Sequence, residues 1–244
     1  MVKVSQSLAE NIAQVQERIA RAAERAGRSP AEVRLIAVSK THPIDVITAA
    51  AGLGLTDFGE NRIEEAAPKI AALPQSAAQP GLRWHMIGHV QSRKAREAAQ
   101  AGFALVHSVD SVKLAERLSR YAQAAGRVQP VLLECNVSGE ESKSGFAATP
   151  ASQWSALLEE FAKIQALPGV QVRGLMTMAP LGADHETARP VFQRLRALCD
   201  MACAQLPPDD WAELSMGMTD DFEGAIAEGA TLVRVGRAIF GERG

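Results

Sequence analysis

Apolar residues recur at helical spacing through Leu8, Ile12, Val15, Ile19 and Ala22, and Gly27 closes the stretch. This predicts an amphipathic helix over residues 5–26. The period then changes. Arg34-Leu-Ile-Ala-Val-Ser39 is a short apolar run, strand-like, that ends at Lys40, and Pro43 suits the first turn of a helix reaching Gly52. The alternation repeats along the chain. Strands are predicted at 56–59, 84–88, 105–108, 131–136, 172–177, 213–215 and 232–235. Helical patterning follows them at 61–72, 91–101, 111–125, 150–165, 185–205 and 220–228, with a short terminal helix after Gly236. The segment from Leu73 to Leu82 is loop-like, and Ser111 is a good N-cap. Eight strand-helix units imply parallel crossover connections. A doubly wound sheet shares this alternation, but the count of eight and the length of 244 residues favour a barrel. The expected fold is α/β: a single (β/α)8 TIM-type barrel with an extra N-terminal helix, one domain over residues 1–244.

Composition narrows the class. A net charge of −2 gives no electrostatic footprint for nucleic acid or an anionic membrane. The three cysteines form no disulfide pattern, and Cys199 and Cys203, four apart on a predicted helix, read as packing. No apolar leader or run of transmembrane length is present, so a cytoplasmic protein is expected.

In such a barrel the chemistry sits at the C-terminal ends of the strands, and the unusual polar residues fall there. Lys40 ends the first strand, where partial burial favours a neutral amine able to attack an aldehyde; a snorkelling lysine or a rim salt bridge is the plain alternative. Lys3, Lys69, Lys94, Lys113 and Lys163 lie on predicted helices or polar termini, leaving Lys143 as the one rival. Ser215-Met-Gly-Met-Thr219 and Gly236-Arg237 follow the seventh and eighth strands, where barrels frequently bind phosphate. Arg234, on an inner strand, needs an acceptor: a carboxylate, or an aromatic ring nitrogen that it would keep unprotonated. His85 and His89 fall on a strand and its following turn, so no zinc pair and no metal site is expected. Asn61 reads as a helix N-cap, and Met176 as adaptable core filler.

The strings Ala37-Val-Ser-Lys40, Phe58-Gly-Glu-Asn61, Trp84-His-Met-Ile-Gly-His89-Val-Gln91-Ser92, Asn136-Val-Ser138 through Lys143-Ser-Gly145, Gly174-Leu-Met-Thr-Met178, Leu214-Ser-Met-Gly-Met218 and Arg234-Val-Gly236 through Phe240-Gly241 run in one order to the C-terminus. Together they resemble the pyridoxal phosphate homeostasis protein family, with its alanine-racemase-like barrel. The resemblance implies pyridoxal 5′-phosphate as cofactor, held as a Schiff base on Lys40, with Arg234 facing the pyridine nitrogen. It implies that Ser215, Thr219 and the amides of Gly236 and Arg237 hold the phosphate, while Asn61, His89 and Met176 line the cofactor. Thr219 stands where many relatives carry serine and keeps the hydroxyl. The implied role is vitamin B6 homeostasis: a non-enzymatic carrier that buffers the cofactor and delivers it to apo-enzymes, expected to work as a monomer. The alternative is an amino-acid racemase, which needs a tyrosine from a separate β domain; the only tyrosine, Tyr121, falls on the helix after the fourth strand.

Overall fold

The computed structural model describes residues 2–73, 81–140, 142–180, 182, 185–207 and 211–241. Most of the expected 73–82 loop, residues 74–80, lies outside the described residues. The strands are β1 (Arg34–Val38), β2 (Asp57–Glu60), β3 (Arg83–Met86), β4 (Leu105–Val109), β5 (Gln129–Asn136), β6 (Phe146–Ala147), β7 (Val170–Met176), β8 (Glu213–Ser215) and β9 (Leu232–Val235). The helices are α1 (Val2–Arg25), α2 (Ile44–Gly52), α3 (Ile63–Ala72), α4 (Ala95–Gln100), α5 (Val112–Ala124), α6 (Trp154–Gln165), α7 (His185–Gln205), α8 (Phe222–Ala227) and α9 (Arg237–Phe240). All strand pairings are parallel, and the order β1-β2-β3-β4-β5-β7-β8-β9 closes back on β1. This is the expected TIM-type barrel with its N-terminal helix. β6 pairs only with β5, through Cys135 and Asn136, and adds a two-residue flap at the rim.

The period-two alternation of each strand separates two cores. Outward residues such as Ala37, Phe58, Val106, Leu133, Leu175 and Val233 join the helices in one large buried cluster. Inward residues form a small second cluster of Ile36, Leu105, Leu132, Met176 and Leu232. The rest of the lumen is polar, holding Asp57, His85, His107, Glu134, Ser215 and Arg234.

α1 lies behind the last two strand-helix units. Arg18 pairs with Glu223 at 2.7 Å, stacks over the Phe222 ring at 4.4 Å and donates to the Thr219 carbonyl at 3.3 Å. Asn11 donates to the Ile239 carbonyl at 3.0 Å. Of the boundaries that differ from expectation, two lie at the mouth. α3 begins at Ile63 with Arg62 at its N-cap, so Asn61 does not cap it. α2 begins at Ile44, with Pro43 at the cap position just before it.

Candidate functional site

β1 ends at Val38, followed by a buried Ser39 and a half-buried Lys40. Both neighbours of Lys40 are clamped from below. The Ser39 hydroxyl donates to Glu60 Oε1 at 2.7 Å, and Lys69 Nζ donates to the Ser39 carbonyl at 3.0 Å. The same ammonium reaches Glu60 at 2.9 Å and Glu65 at 2.6 Å. Glu65 in turn accepts from the N–H of Thr41, a residue held at φ +67°. Burial pushes the Glu60 carboxyl up from its usual range, and its Oε2 meets no donor.

β9 lies beside β1, with Ile36 opposite Arg234. Arg234 is buried in the lumen, where it donates to Ser215 Oγ at 2.6 Å and to the Thr177 carbonyl at 2.9 Å. These acceptors are uncharged. Burial lowers its pKa to about 10, which still leaves a cation at neutral pH.

The loops after β8 and β9 adjoin this cation. Gly217 has φ +92°, and a Cβ there would lie 2.6 Å from Ala225 Cβ and 2.8 Å from Phe222 Cα. Its carbonyl accepts from the Arg234 N–H at 3.0 Å. Thr219 is half-buried in the same loop. A Cβ on Gly236 would lie 3.3 Å from Val38, so the loop after β9 passes close to the strand that leads to Lys40. Arg237 is exposed and ion-paired with Asp220, joining the two loops. His42 stacks on Phe240 with centroids 4.8 Å apart, tying the Lys40 turn to α9.

Asn61 and His89 sit elsewhere on the mouth. With Arg62, Met86, Arg93 and Lys94 they line a cleft of about 360 Å³ that Lys40 and Arg234 do not line. His89 is exposed and pairs with Asp110 at 3.1 Å. Met176 is buried in the luminal apolar cluster. Lys143 donates to the Met178 carbonyl at 2.8 Å and pairs with Glu140 at 3.3 Å. Tyr121 is on the last turn of α5, a helix that runs back from the mouth, and its hydroxyl accepts from Arg120.

The Ser215 hydroxyl, expected on the phosphate, is turned into the barrel. It is fully buried and lies 2.8 Å from His107 Nδ1. His107 Nε2 is 2.9 Å from His85 Nδ1, and His85 Nε2 is 2.9 Å from Asp57 Oδ1. Arg83 completes the row with a bidentate grip on Asp57 at 2.8 and 2.6 Å. Desolvation opposes ionisation of Asp57, but hydrogen bonds from His85, Arg83 and Thr56 outweigh it and hold the carboxyl well below the usual range. Burial lowers the His107 pKa well below that of a free imidazole. At the end of β5 the Glu134 carboxyl is pushed up to about 7, by burial first and by Asp110 second.

Sequence reasoning passed over Asp57, His107, Glu134 and Lys69 and weighed His85 only as a metal ligand. The signal for most of them was there: Asp57, His85, His107 and Glu134 are polar residues within or bordering apolar strands. His107 and Glu134 each lie two positions after a luminal leucine.

The chain matches the family described as alanine racemase, N-terminal domain, over residues 8–244. A pyridoxal phosphate homeostasis protein of Pseudomonas aeruginosa is 46% identical over 237 residues, 97% of this chain and 96% of that protein. That of Escherichia coli K12 is 39% identical over 236 residues, 97% of each chain. The chain belongs to the pyridoxal phosphate homeostasis protein family. A solved structure of PipY from Synechococcus elongatus PCC7942, described as having PLP bound, superposes with TM-score 0.78 at 38% identity, covering 96% of this chain and 100% of that one. An alanine racemase of Clostridium difficile 630 shares the fold with TM-score 0.70 at 13% identity; the match covers 98% of this chain and 57% of the racemase.

Proposed function

We propose that this chain binds pyridoxal 5′-phosphate as a Schiff base on Lys40 and serves intracellular cofactor homeostasis, buffering and delivering the cofactor without turning over a substrate. The observation that carries the reading is Arg234: a buried guanidinium bonded to uncharged oxygens, one strand away from the strand that leads to Lys40. When bound, the cofactor supplies an aldehyde, a ring nitrogen and a phosphate. Lys40 offers the amine, from a turn clamped by Glu60, Glu65 and Lys69. Arg234 offers donors that keep a ring nitrogen unprotonated, which weakens the ring as an electron sink and suits storage better than carbanion chemistry. Thr219 and the amides of Gly236 and Arg237 hold the phosphate, where the missing side chains of Gly217 and Gly236 let the loops pack closely. Ser215 serves the cofactor from below, through Arg234 at the ring nitrogen. Asn61 and His89, on the neighbouring cleft of the mouth, and Met176, in the luminal apolar cluster, would flank the bound cofactor.

The whole of residues 1–244 acts as one cofactor-binding domain, monomeric and cytoplasmic, with apo-enzymes as recipients and no nucleic-acid partner. Among the described residues no helix is long and apolar enough to cross a membrane. Tyr121, bonded to Arg120 on the last turn of α5, is not positioned as a racemase base.

The test is a visible spectrum of the protein with added pyridoxal phosphate, then borohydride reduction and peptide mapping by mass. A pyridoxyl adduct on Lys40, lost in a folded Lys40→Ala variant, is expected. A colourless protein, or an adduct that persists in that variant, sinks the assignment. Racemisation of amino acids by the loaded protein would overturn the carrier role.

A further inference from the structure

The row Asp57, His85, His107, Ser215, Arg234 runs across the barrel lumen. Asp57, His85 and His107 belong to the adjacent strands β2, β3 and β4. Ser215 belongs to β8, which pairs with β7 and β9, so the His107–Ser215 bond crosses the interior. All five residues are at most 4% exposed.

The two ends of the row fix its direction. A guanidinium only donates, so Ser215 Oγ accepts from Arg234. An ionised carboxylate only accepts, so His85 Nε2 carries the proton that faces Asp57. With both imidazoles neutral, one arrangement satisfies every link. His85 Nδ1 accepts from His107 Nε2–H, and His107 Nδ1 accepts the Ser215 hydroxyl proton. Reversing the row requires a second proton on His85. That cation would be buried beside an Asp57 already balanced by Arg83, in a lumen that also holds Arg234. The other charged groups facing the row are Arg34 and Glu213 near its lower end, and Asp221 and Glu134 near Arg234; Asp221 is the nearer influence on that guanidinium and accepts from the Met218 N–H. The neutral row is therefore favoured.

We infer that His107 and His85 are positioning residues for the cofactor: by accepting the Ser215 proton they keep its oxygen turned to Arg234 and fix that guanidinium toward the ring nitrogen. This rests on the assignment of Arg234 in the preceding section. It goes further in giving two buried histidines, one of them hydrogen-bonded to Asp57 near the opposite end of the barrel, a role in cofactor retention. Ser215 then spends its proton inward, and the phosphate is left to Thr219 and the backbone amides.

Two measurements test this. Long-range proton–nitrogen NMR of histidine-labelled, cofactor-free protein reads the tautomers directly. His107 is expected as the neutral Nε2–H form from pH 6 to 8, with Nε2 of His85 also carrying a proton; an Nδ1–H form at His107, or an imidazolium there, overturns the direction of the row. The second compares His107→Phe, which fills the ring's space but offers no acceptor, with His107→Asn, whose amide oxygen can still accept from Ser215. The Phe variant is expected to bind pyridoxal phosphate about tenfold more weakly, the loss of one charge-assisted hydrogen bond, with a shifted visible band. The Asn variant is expected to retain more of the affinity. If packing alone matters the order inverts, and that result overturns the role. The NMR arm uses no cofactor and stands or falls alone, whereas borohydride mapping to another lysine would sink only the binding assignment.

Discussion

Lys69 lies beneath the Lys40 turn with its ammonium shared among the Ser39 carbonyl, Glu60 and Glu65. Thr41 holds a left-handed conformation that costs a non-glycine residue about 1–2 kcal/mol, and the Glu65 carboxylate on its N–H helps to offset that strain. Removing one partner of a buried pair leaves the other charge uncompensated. Lys69→Met should therefore destabilise the protein by about 3 kcal/mol in urea unfolding, while adding Glu60→Gln should recover part of the loss. Equal stability of the two variants would show that the pair is not coupled. In the sequence Lys69 reads as an ordinary helix lysine. Yet it lies three residues after the buried Ala66 and six after Ile63, on the inward stripe of α3. A charge on an apolar stripe is the readable sign; its partners, brought from β1 and β2, are not, because tertiary pairing has no local pattern.

At the level of elements, the strand-to-helix loops carry most of the proposed site and are the least regular. All eight barrel strands fall where the alternation of apolar and polar positions puts them. β5 begins two residues earlier than its apolar run, and takes in Pro130. Its pairing with β4 starts only at Val131, so no β4 partner is lost for want of a proline N–H. The two-residue β6 is too short to leave a period in the sequence. The loop after β8 depends on Gly217. Gly217→Ala would press a methyl into Ala225 and Phe222 at a backbone angle that alanine disfavours. It should cost about 2 kcal/mol of stability and loosen phosphate-dependent retention, so that pyridoxal phosphate loses more affinity than pyridoxal. An equal loss for both would place the phosphate elsewhere.

Across the whole molecule, polar groups in the barrel set opposing pH dependences. Asp57 is held below the usual carboxylate range, so its contribution is present above about pH 4 and is lost as pH falls. Glu134 is raised to about 7, so the stability linked to its protonated form is complete below about pH 4.5 and is lost as pH rises through 7. Thermal unfolding of the cofactor-free protein should therefore show greatest stability near pH 5. Glu134→Gln should flatten the alkaline side by up to about 3 kcal/mol; an unchanged alkaline limb would remove Glu134 from the account. Alternation and length reveal the barrel, since strands covered on both faces must be apolar. They do not reveal a luminal network, which exists only once distant strands close into a ring. α1 adds a last point. Its ties to the Thr219 and Ile239 positions end on main-chain oxygens. A grip on the backbone is blind to side-chain identity, so a lineage can exchange the side chains at these positions without rewriting the brace behind them.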